Sequence, residues 1–297
     1  MNWTEDIPAE RLIGTYTTGT PGPLVLIIAG VQGEDVADAH PVRAFLDLLQ
    51  SQDVRIHGTV LALAGNSLHA SELMELIGLT QRLSRHHAEI CFVDLHTTAV
   101  PTIPYLNISA HDASLQLASL FPLHSVTGLQ RSNPGCFHEY CNLQGFRGFA
   151  FESGQHRSAS AFSNQIALLW LLLVFAGALA RKDVRNFSRY ERMLALDSAP
   201  ERRTFKLTSH YRSSADDDFV MQRGLRNFDY VRKDCCIASN RHGAVLAPVD
   251  GFLLLPLDHR NEHGHADKGF FLLEEASAND EELPPVQTAL RHSRTFS

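Results

Sequence analysis

The sequence predicts an α/β fold in which helices flank a central mixed sheet, followed by a smaller β-rich region. Up to about Ala180, apolar β-prone runs alternate with amphipathic helical patterns, which is the rhythm typical of βαβ units. From Thr204 onward the pattern changes to short β-rich runs separated by Gly, Asn and Asp, which indicates antiparallel strands. We therefore predict an α/β domain over 1–200, a β-rich domain over 201–275 and, where the chain becomes polar, a flexible tail over 276–297.

The spacing of apolar residues divides the two regions into elements. Continuous apolar runs predict strands buried on both faces, and apolar residues that recur every three or four positions predict helices. In chain order, the first region is predicted to contain a strand at 24–29, a helix at 40–50, a strand at 55–63, a helix at 71–85 and a strand at 90–94. Short strands are predicted in the second region at 219–221, 228–231, 244–247 and 251–255. The charged stretch 183–203 is predicted to link the two regions.

Residues 166–180 contain almost no polar atom and could be mistaken for a membrane span. The stretch is shorter than the ~20 apolar residues that a spanning helix needs. Polar residues bound it closely, because Asn164 and Gln165 precede it and Arg181 and Lys182 follow it. We therefore predict a core helix packed across the sheet, and no membrane partner.

Composition and charge argue against several classes of function. The 297 residues are 44% hydrophobic and 20% charged, as in ordinary globular enzymes. The formal net charge of -7 gives no electrostatic support for nucleic-acid binding. The amino terminus has no signal-peptide pattern, and five cysteines without a C-x-x-C pair favour reduced thiols. These features predict a cytoplasmic protein without a nucleic-acid partner, and they leave a homo-oligomer open.

Three apolar runs of the first region end in polar side chains. The first run ends at Gly30, the second runs into Asp94 and His96, and the third runs into Glu152. Polar residues at the carboxyl ends of parallel strands lie where open α/β sheets place their active sites. Imidazole and carboxylate groups are also the donors that zinc prefers, together with thiolate. The sequence therefore predicts one site on one edge of the sheet.

These polar segments carry a resemblance to a known family. Residues 30–35 stand in the place of the motif G-x-H-G-N-E, residues 94–98 match D-L-H-T-T, and residues 151–156 match F-E-x-G-Q-H. With further matches in the second region, the chain resembles the succinylglutamate desuccinylase/aspartoacylase family. The resemblance covers residues 23–273. It implies a zinc-carboxypeptidase-like α/β domain with a smaller C-terminal β domain.

The resemblance also implies a zinc ion and the residues that serve it. The implied metal ligands are Gln32, Asp35 and His96, and the implied general base is Glu152. Asp94 shares the strand face of His96, so we expect it to orient that imidazole. Thr97 is assigned the same supporting role.

Two ligand positions depart from the family pattern. Gln32 stands where the family has a histidine, and Asp35 stands where it has a glutamate. A neutral amide oxygen is a poor substitute for an imidazole nitrogen on zinc. The shorter side chain of Asp35 moves its carboxylate back toward the backbone. Of the three implied ligands, His96 alone is unchanged.

The family's substrate-binding loop is missing from the sequence. In the family, an arginine and a D-L-N-R stretch follow the position of Asn66, whereas here Asn66 leads into the helix predicted at 71–85. Arg82 fits the amphipathic pattern of that helix, and we predict that it is solvated. Asn66 and Arg147 are the remaining candidates for substrate binding. Without the arginines, a dicarboxylate substrate is disfavoured.

Each site residue also has a structural interpretation. His96 could cap a buried strand end, and Glu152 could be a surface acid. Ser153 is not expected to be a nucleophile, because the sequence contains no G-x-S-x-G elbow. Four further polar residues are interpreted as scattered surface side chains: His138, Glu139, His263 and His265.

Two functions from different classes follow from these observations. The first is a zinc-dependent hydrolase that cleaves a small N-acyl amino acid, or a related amide or ester, with metal-activated water and Glu152 as base. The second is a pseudoenzyme that keeps the fold and binds a ligand or partner without hydrolysis. Gln32, Asp35 and the missing loop favour the second function. The retained Asp94, His96 and Glu152 favour the first.

Zinc content separates the two functions. We expect the unmodified protein to contain less than one zinc per chain after purification without added metal, because Gln32 is a weak donor. The double substitution Gln32→His with Asp35→Glu should raise zinc occupancy sharply. Elemental analysis of both proteins measures this, and stoichiometric zinc in the unmodified protein would contradict the expectation.

Overall fold

The computed structural model of the chain describes residues 7–30, 39–65, 70–109, 111–131, 137–195, 202–214, 216–260 and 266–276. Several predicted features lie outside the described residues. They are Gln32, Asp35, Asn66, His263, His265 and all of the predicted tail except residue 276.

The described chain forms helices and strands close to the predicted ones. The helices are α1 (Ala39–Ser51), α2 (Ala70–His86), α3 (Asp112–Ala118), α4 (Phe137–Leu143), α5 (Ala159–Phe175) and α6 (Phe187–Leu194). The strands up to residue 155 are β1 (Leu12–Thr17), β2 (Thr20–Ala29), β3 (His57–Ala64), β4 (Ile90–Thr98), β5 (Tyr105–Ile108), β6 (His124–Thr127) and β7 (Arg147–Gln155). The later strands are β8 (Thr204–Arg212), β9 (Val220–Met221), β10 (Tyr230–Val231), β11 (Cys236–Asn240), β12 (Gly243–Leu246), β13 (Gly251–Arg260) and β14 (Ala266–Glu275).

A mixed sheet organises the molecule, as predicted. Within the described residues it has eleven strands in the order β1-β3-β2-β4-β7-β5-β6-β8-β14-β13-β10. Its centre is parallel, because β2 pairs in parallel with both β3 and β4, and β4 pairs in parallel with β7. The next strand, β5, pairs antiparallel with β7. The carboxyl ends of β2, β4 and β7 therefore meet at one edge.

The central strands are buried because helices cover both faces of the sheet. On one face, alternate side chains such as Ile27, Val93 and Phe149 pack with apolar residues of α1 and α5. On the other face, side chains such as Leu26 and Phe92 pack with residues of α2 and α4. Because side chains on both faces of these strands are buried, the strands appear in the sequence as continuous apolar runs.

The apolar segment 166–180 lies in the core, as predicted, although its helix has different bounds. Helix α5 begins earlier, at Ala159, where the Ser158 hydroxyl accepts a hydrogen bond from the Ala161 N–H. It ends at Phe175, before the apolar residues run out. No helix in the described part of the chain combines the length and the apolar character that crossing a membrane requires.

The β-rich C-terminal region is continuous with the central sheet. Strand β8 pairs in parallel with β6, and β14 and β13 extend the sheet from β8. A separate antiparallel sheet contains β12, β11 and β9 in that order. Asn227 adds a further tie, because its amide donates to the Thr102 hydroxyl in the loop after β4 and accepts from the Leu255 N–H on β13. The boundary proposed near residue 200 thus falls inside one sheet.

The stretch 183–203 is not simply a linker. Helix α6 (Phe187–Leu194) lies within it and packs against α5, where Tyr190 stacks on Trp170 with ring centroids 6.0 Å apart. The sequence showed little sign of this helix, because most of its residues are polar or charged. Its buried residues are Phe187 and Leu194.

Close contact between β4 and β7 makes Gly148 essential to the sheet. A Cβ atom at Gly148 would lie 2.1 Å from the Phe92 carbonyl oxygen. Gly148→Ala should therefore lower the free energy of unfolding by about 1–3 kcal/mol through overpacking. Gly78→Ala in α2, where the nearest atom is 3.7 Å away, is the matched control and should stabilise by about 0.5–1 kcal/mol. Denaturant unfolding of both variants measures this, and equal effects would contradict the packing argument.

Candidate active site

Strand pairing brings His96 and Glu152 together. The two residues are register partners on the parallel strands β4 and β7. Since paired residues point to the same face of a sheet, their side chains share one face at the carboxyl edge. Strand β2 pairs with β4 up to Ala29 and Leu95, so the segment that carries Gln32 and Asp35 starts beside His96.

Asp94 orients the imidazole of His96. Its Oδ2 lies 3.1 Å from His96 Nε2, and the carboxylate is almost fully buried. A proton on Nε2 directed at this carboxylate leaves Nδ1 unprotonated, which is the state in which an imidazole nitrogen binds a metal. The carboxylate–histidine pair is the usual support for a metal-ligating histidine. The contact is the one that the predicted role of Asp94 requires, and the role itself stays a prediction.

The backbone around His96 is fixed by hydrogen bonds from β7 and α5. The buried Ser153 hydroxyl donates to the His96 carbonyl, at 2.9 Å, and accepts from the Gln165 amide, at 3.0 Å. The Thr98 hydroxyl contacts the Val100 and Gly154 carbonyls. Ser153 is thus a structural residue with both of its hydrogen-bonding roles used.

Thr97 supports the site differently from the prediction. Its hydroxyl lies 2.6 Å from His156 Nδ1, in the loop after β7. It ties the end of β4 to the end of β7.

His138 was predicted to be a surface residue, and this prediction is wrong. The side chain lies on α4 and is 3% exposed. It is close enough to Asp94 and His96 for the charges of both to affect its pKa. Burial lowers its pKa to about 4, opposed by the Asp94 charge and assisted by the His96 charge. His138 is therefore neutral at pH 7. The signal that could have found it is Phe137 and Cys141, four residues apart, which give α4 a buried face.

Cys141 lies one turn further along α4, near Asp94. Burial, with a contribution from the Asp94 charge, raises the pKa of this thiol well above its usual value. A protonated thiol is a poor metal ligand. Cys141 therefore fills the core beneath the site rather than extending the donor set.

Tyr105 is a second residue that the sequence interpretation missed. It is the register partner of Glu152 on β5, on the side opposite His96. The side chain is fully buried, and burial together with the Glu152 charge raises the pKa of its phenol well above the usual value. Tyr105 is thus a neutral hydroxyl next to the predicted base.

Arg147 does not lie at the site, contrary to prediction. It is the first residue of β7, and five residues of extended strand place it about 16 Å from Glu152. Its guanidinium donates to the Ala176 carbonyl at the end of α5, at 3.1 Å, and lies 3.9 Å from Glu89. A cation at that position stabilises the carboxyl end of a helix. Arg82, in contrast, is exposed on α2 as predicted.

Arg11 is the buried arginine near this edge. Its guanidinium donates to Glu75 on α2, at 2.9 Å, and to the Gly65 carbonyl after β3, at 2.8 Å. These bonds fix the point where the chain leaves β3 toward Asn66. Because they occupy the guanidinium, Arg11 serves the fold rather than a substrate.

The described residues include one of the three predicted zinc ligands. His96, backed by Asp94, is a suitable zinc ligand. No three His, Cys, Asp or Glu side chains in the described ranges lie close enough to hold a metal ion together. A complete donor set would therefore have to include residues outside the described ranges, and the predicted ligands Gln32 and Asp35 are among those.

Solved structures share this fold. Comparison of the sequence with protein-family models and with curated proteins gave no match. The product-bound ectoine utilization protein EutE from Ruegeria pomeroyi is 16% identical over 87% of this chain and 86% of its own, with a TM-score of 0.61. A succinylglutamate desuccinylase from a Silicibacter species is 15% identical over 88% of each chain, with a TM-score of 0.61. One from Vibrio parahaemolyticus is 12% identical over 92% of this chain and 84% of its own, with a TM-score of 0.56.

The position of Arg147 generates one prediction. Arg147→Ala should lower the free energy of unfolding by roughly 1 kcal/mol, because a helix-end hydrogen bond is lost. It should leave bound zinc per chain unchanged. Thermal unfolding and elemental analysis of the variant measure the two effects. A loss of zinc without a loss of stability would return Arg147 to the site.

Because His138 is neutral in the folded protein, we expect the protein to lose stability at acid pH. The folded protein keeps this imidazole neutral down to about pH 4, whereas the unfolded chain takes up the proton near pH 6.5. The free energy of unfolding therefore falls as the pH is lowered from 6.5 toward 4. Protonation of His138 accounts for on the order of 2 kcal/mol of this loss. His138→Gln should lose less stability between pH 6.5 and 4.5 than the unmodified protein. His86→Gln, an exposed control on α2, should behave like the unmodified protein, and equal pH dependence of all three would contradict the assignment.

Proposed function

We propose that this chain, which has the fold of the succinylglutamate desuccinylase/aspartoacylase proteins, is a zinc-dependent hydrolase of a small N-acyl amino acid or a related amide or ester. The observation that carries the proposal is the register pairing of His96 with Glu152, with Asp94 bonded to the imidazole. A metal ligand and a carboxylate base on adjacent strand ends are two of the parts that metal-assisted hydrolysis requires of the protein.

Each described residue has a distinct part in this reaction. Asp94 holds the His96 ring so that one nitrogen is presented as a ligand. Zinc, when bound, would lower the pKa of a water molecule and polarise the substrate carbonyl. Glu152 would take the proton from the attacking water and deliver it to the leaving amine. Ser153 and Thr98 keep the two strand ends in register, so that base and ligand remain side by side.

The substrate's charge depends on which cations lie at this edge. Arg147 is removed from consideration by its position at the other end of β7. Arg157 lies in the loop directly after β7, on the correct edge, with a left-handed backbone at φ 58°. It takes the place of Arg147 as the candidate for contacting a substrate carboxylate. An arginine there suits the carboxylate of an N-acyl amino acid, and the missing arginine loop disfavours a second carboxylate, so we expect substrates with neutral side chains to be preferred.

A pseudoenzyme is the second candidate function. The substitutions Gln32 and Asp35 favour it, and so does the missing substrate-binding loop after Asn66. Such a protein would keep the pairing of His96 with Glu152 as inherited structure. Its ligand would bind at the same edge of the sheet and would be released without being hydrolysed.

The two candidates differ in amine release. The protein, supplied with one equivalent of zinc, is incubated with N-acetylated amino acids that have neutral, acidic or basic side chains, and free amine is measured. We expect release from the neutral members, and a loss of at least about 100-fold in Glu152→Gln, since general-base catalysis contributes about 10²–10⁴-fold. The exposed substitution Glu89→Gln is the control and should leave the rate unchanged. Equal release by Glu152→Gln and the unmodified protein, or no release at all, would refute the hydrolase.

A further inference from the structure

Tyr105 has an unusual position relative to the proposed base. It faces Glu152 directly across the antiparallel pair of β5 and β7, on the same face of the sheet. Side chains so paired have Cβ atoms about 4.5–5.5 Å apart. Glu152 thus has His96 on one side and Tyr105 on the other.

The hydroxyl of Tyr105 is buried without a partner. Its Oη atom is inaccessible to solvent and makes no hydrogen bond in the described part of the chain. Leaving a buried hydroxyl unpaired costs about 1–3 kcal/mol. Phenylalanine would fill the same space without this cost. The ring is held in place by Phe228, with an edge-on contact at 5.5 Å between ring centroids.

The surroundings offer few acceptors. His124 is the parallel partner of Tyr105 on β6, and its Nδ1 accepts the Arg203 N–H at 3.0 Å. A neutral imidazole that accepts at Nδ1 has its proton on Nε2, so it cannot accept a second hydrogen bond there. Phe205 and Phe228, whose rings contact His124, offer no oxygen or nitrogen in their side chains as an acceptor. Among these described neighbours of Tyr105, the carboxylate of Glu152, whose charge acts on the phenol, is the acceptor.

We propose that Tyr105 is a positioning residue that donates a hydrogen bond from its hydroxyl to the Glu152 carboxylate in the zinc-loaded protein. This inference rests on the proposed function of Glu152 as base. A rotation of the Glu152 side chain is the smallest movement that brings its carboxylate to the hydroxyl. The bond fixes the direction of the carboxylate, so that its other oxygen is presented to the attacking water.

The role predicts a specific kinetic effect. Tyr105→Phe removes the hydroxyl and keeps the ring and its packing. A charge-assisted hydrogen bond lost from an oriented base should lower kcat by about 10-fold or more. KM should stay within about twofold, because Tyr105 does not touch the substrate. Tyr230→Phe, on the exposed edge strand β10, is the matched control and should leave both constants unchanged.

A thermal double-mutant cycle tests the contact without relying on activity. The variants are Tyr105→Phe, Glu152→Ala and the double substitution, each with one equivalent of zinc. If the hydroxyl binds Glu152, Tyr105→Phe should lower Tm by about 2–4 °C in the protein that retains Glu152. The same substitution should not lower Tm in the Glu152→Ala background, since the acceptor is already gone.

The outcomes separate this inference from the proposed function. A Tyr105→Phe protein that matches Tyr230→Phe in kcat, or that loses the same Tm in both backgrounds, overturns the role of Tyr105 and leaves the hydrolase standing. If the unmodified protein releases no amine from any substrate, the proposed function fails, and a uniform Tm effect overturns the contact as well. A fall in kcat with constant KM, together with a Tm effect that requires Glu152, supports the assignment.

Discussion

The site depends on the register of the parallel strands β4 and β7. A shift of one residue would turn every side chain of β4 to the opposite face and separate His96 from Glu152. The register is fixed at both ends of β7. At its start, Gly148 allows the backbone to approach Phe92, and at its end the Ser153 hydroxyl reaches the His96 carbonyl. The chemistry of the edge is therefore a consequence of packing in the interior of the sheet.

Burial sets the charges beneath the site. His138 and Cys141 lie close to Asp94, and burial favours the neutral form of each. Neutral neighbours do not compete with His96 as ion-pair partners of the buried carboxylate. The direct contact of Asp94 is accordingly with His96 Nε2. Helix α4 thus contributes buried neutral side chains next to Asp94 without supplying a predicted ligand.

The fold was largely predictable because the central strands are buried on both faces. Continuous apolar runs located β2, β3 and β4, and periodic ones located α1 and α2. The residues that escaped prediction depend on tertiary contacts. His138 lies on α4, a seven-residue helix whose periodic signal is limited to Phe137 and Cys141. Arg147 is near Glu152 in sequence, yet an extended strand separates residues by about 3.3 Å each. The parts assigned to Gln32, Asp35 and Asn66 stay predictions.

The pairing of β6 with β8 has a consequence for how the chain can be divided. A protein ending near residue 200 would leave β6 as an edge strand, with the N–H and C=O groups that now bind β8 unpaired. Unprotected edges of this kind recruit strands from other molecules and lead to aggregation. It would also lose Asn227, which secures the loop after β4, and Phe228, which packs on Tyr105. The C-terminal strands therefore protect the edge of the sheet at β6, and without them we expect the remaining domain to aggregate.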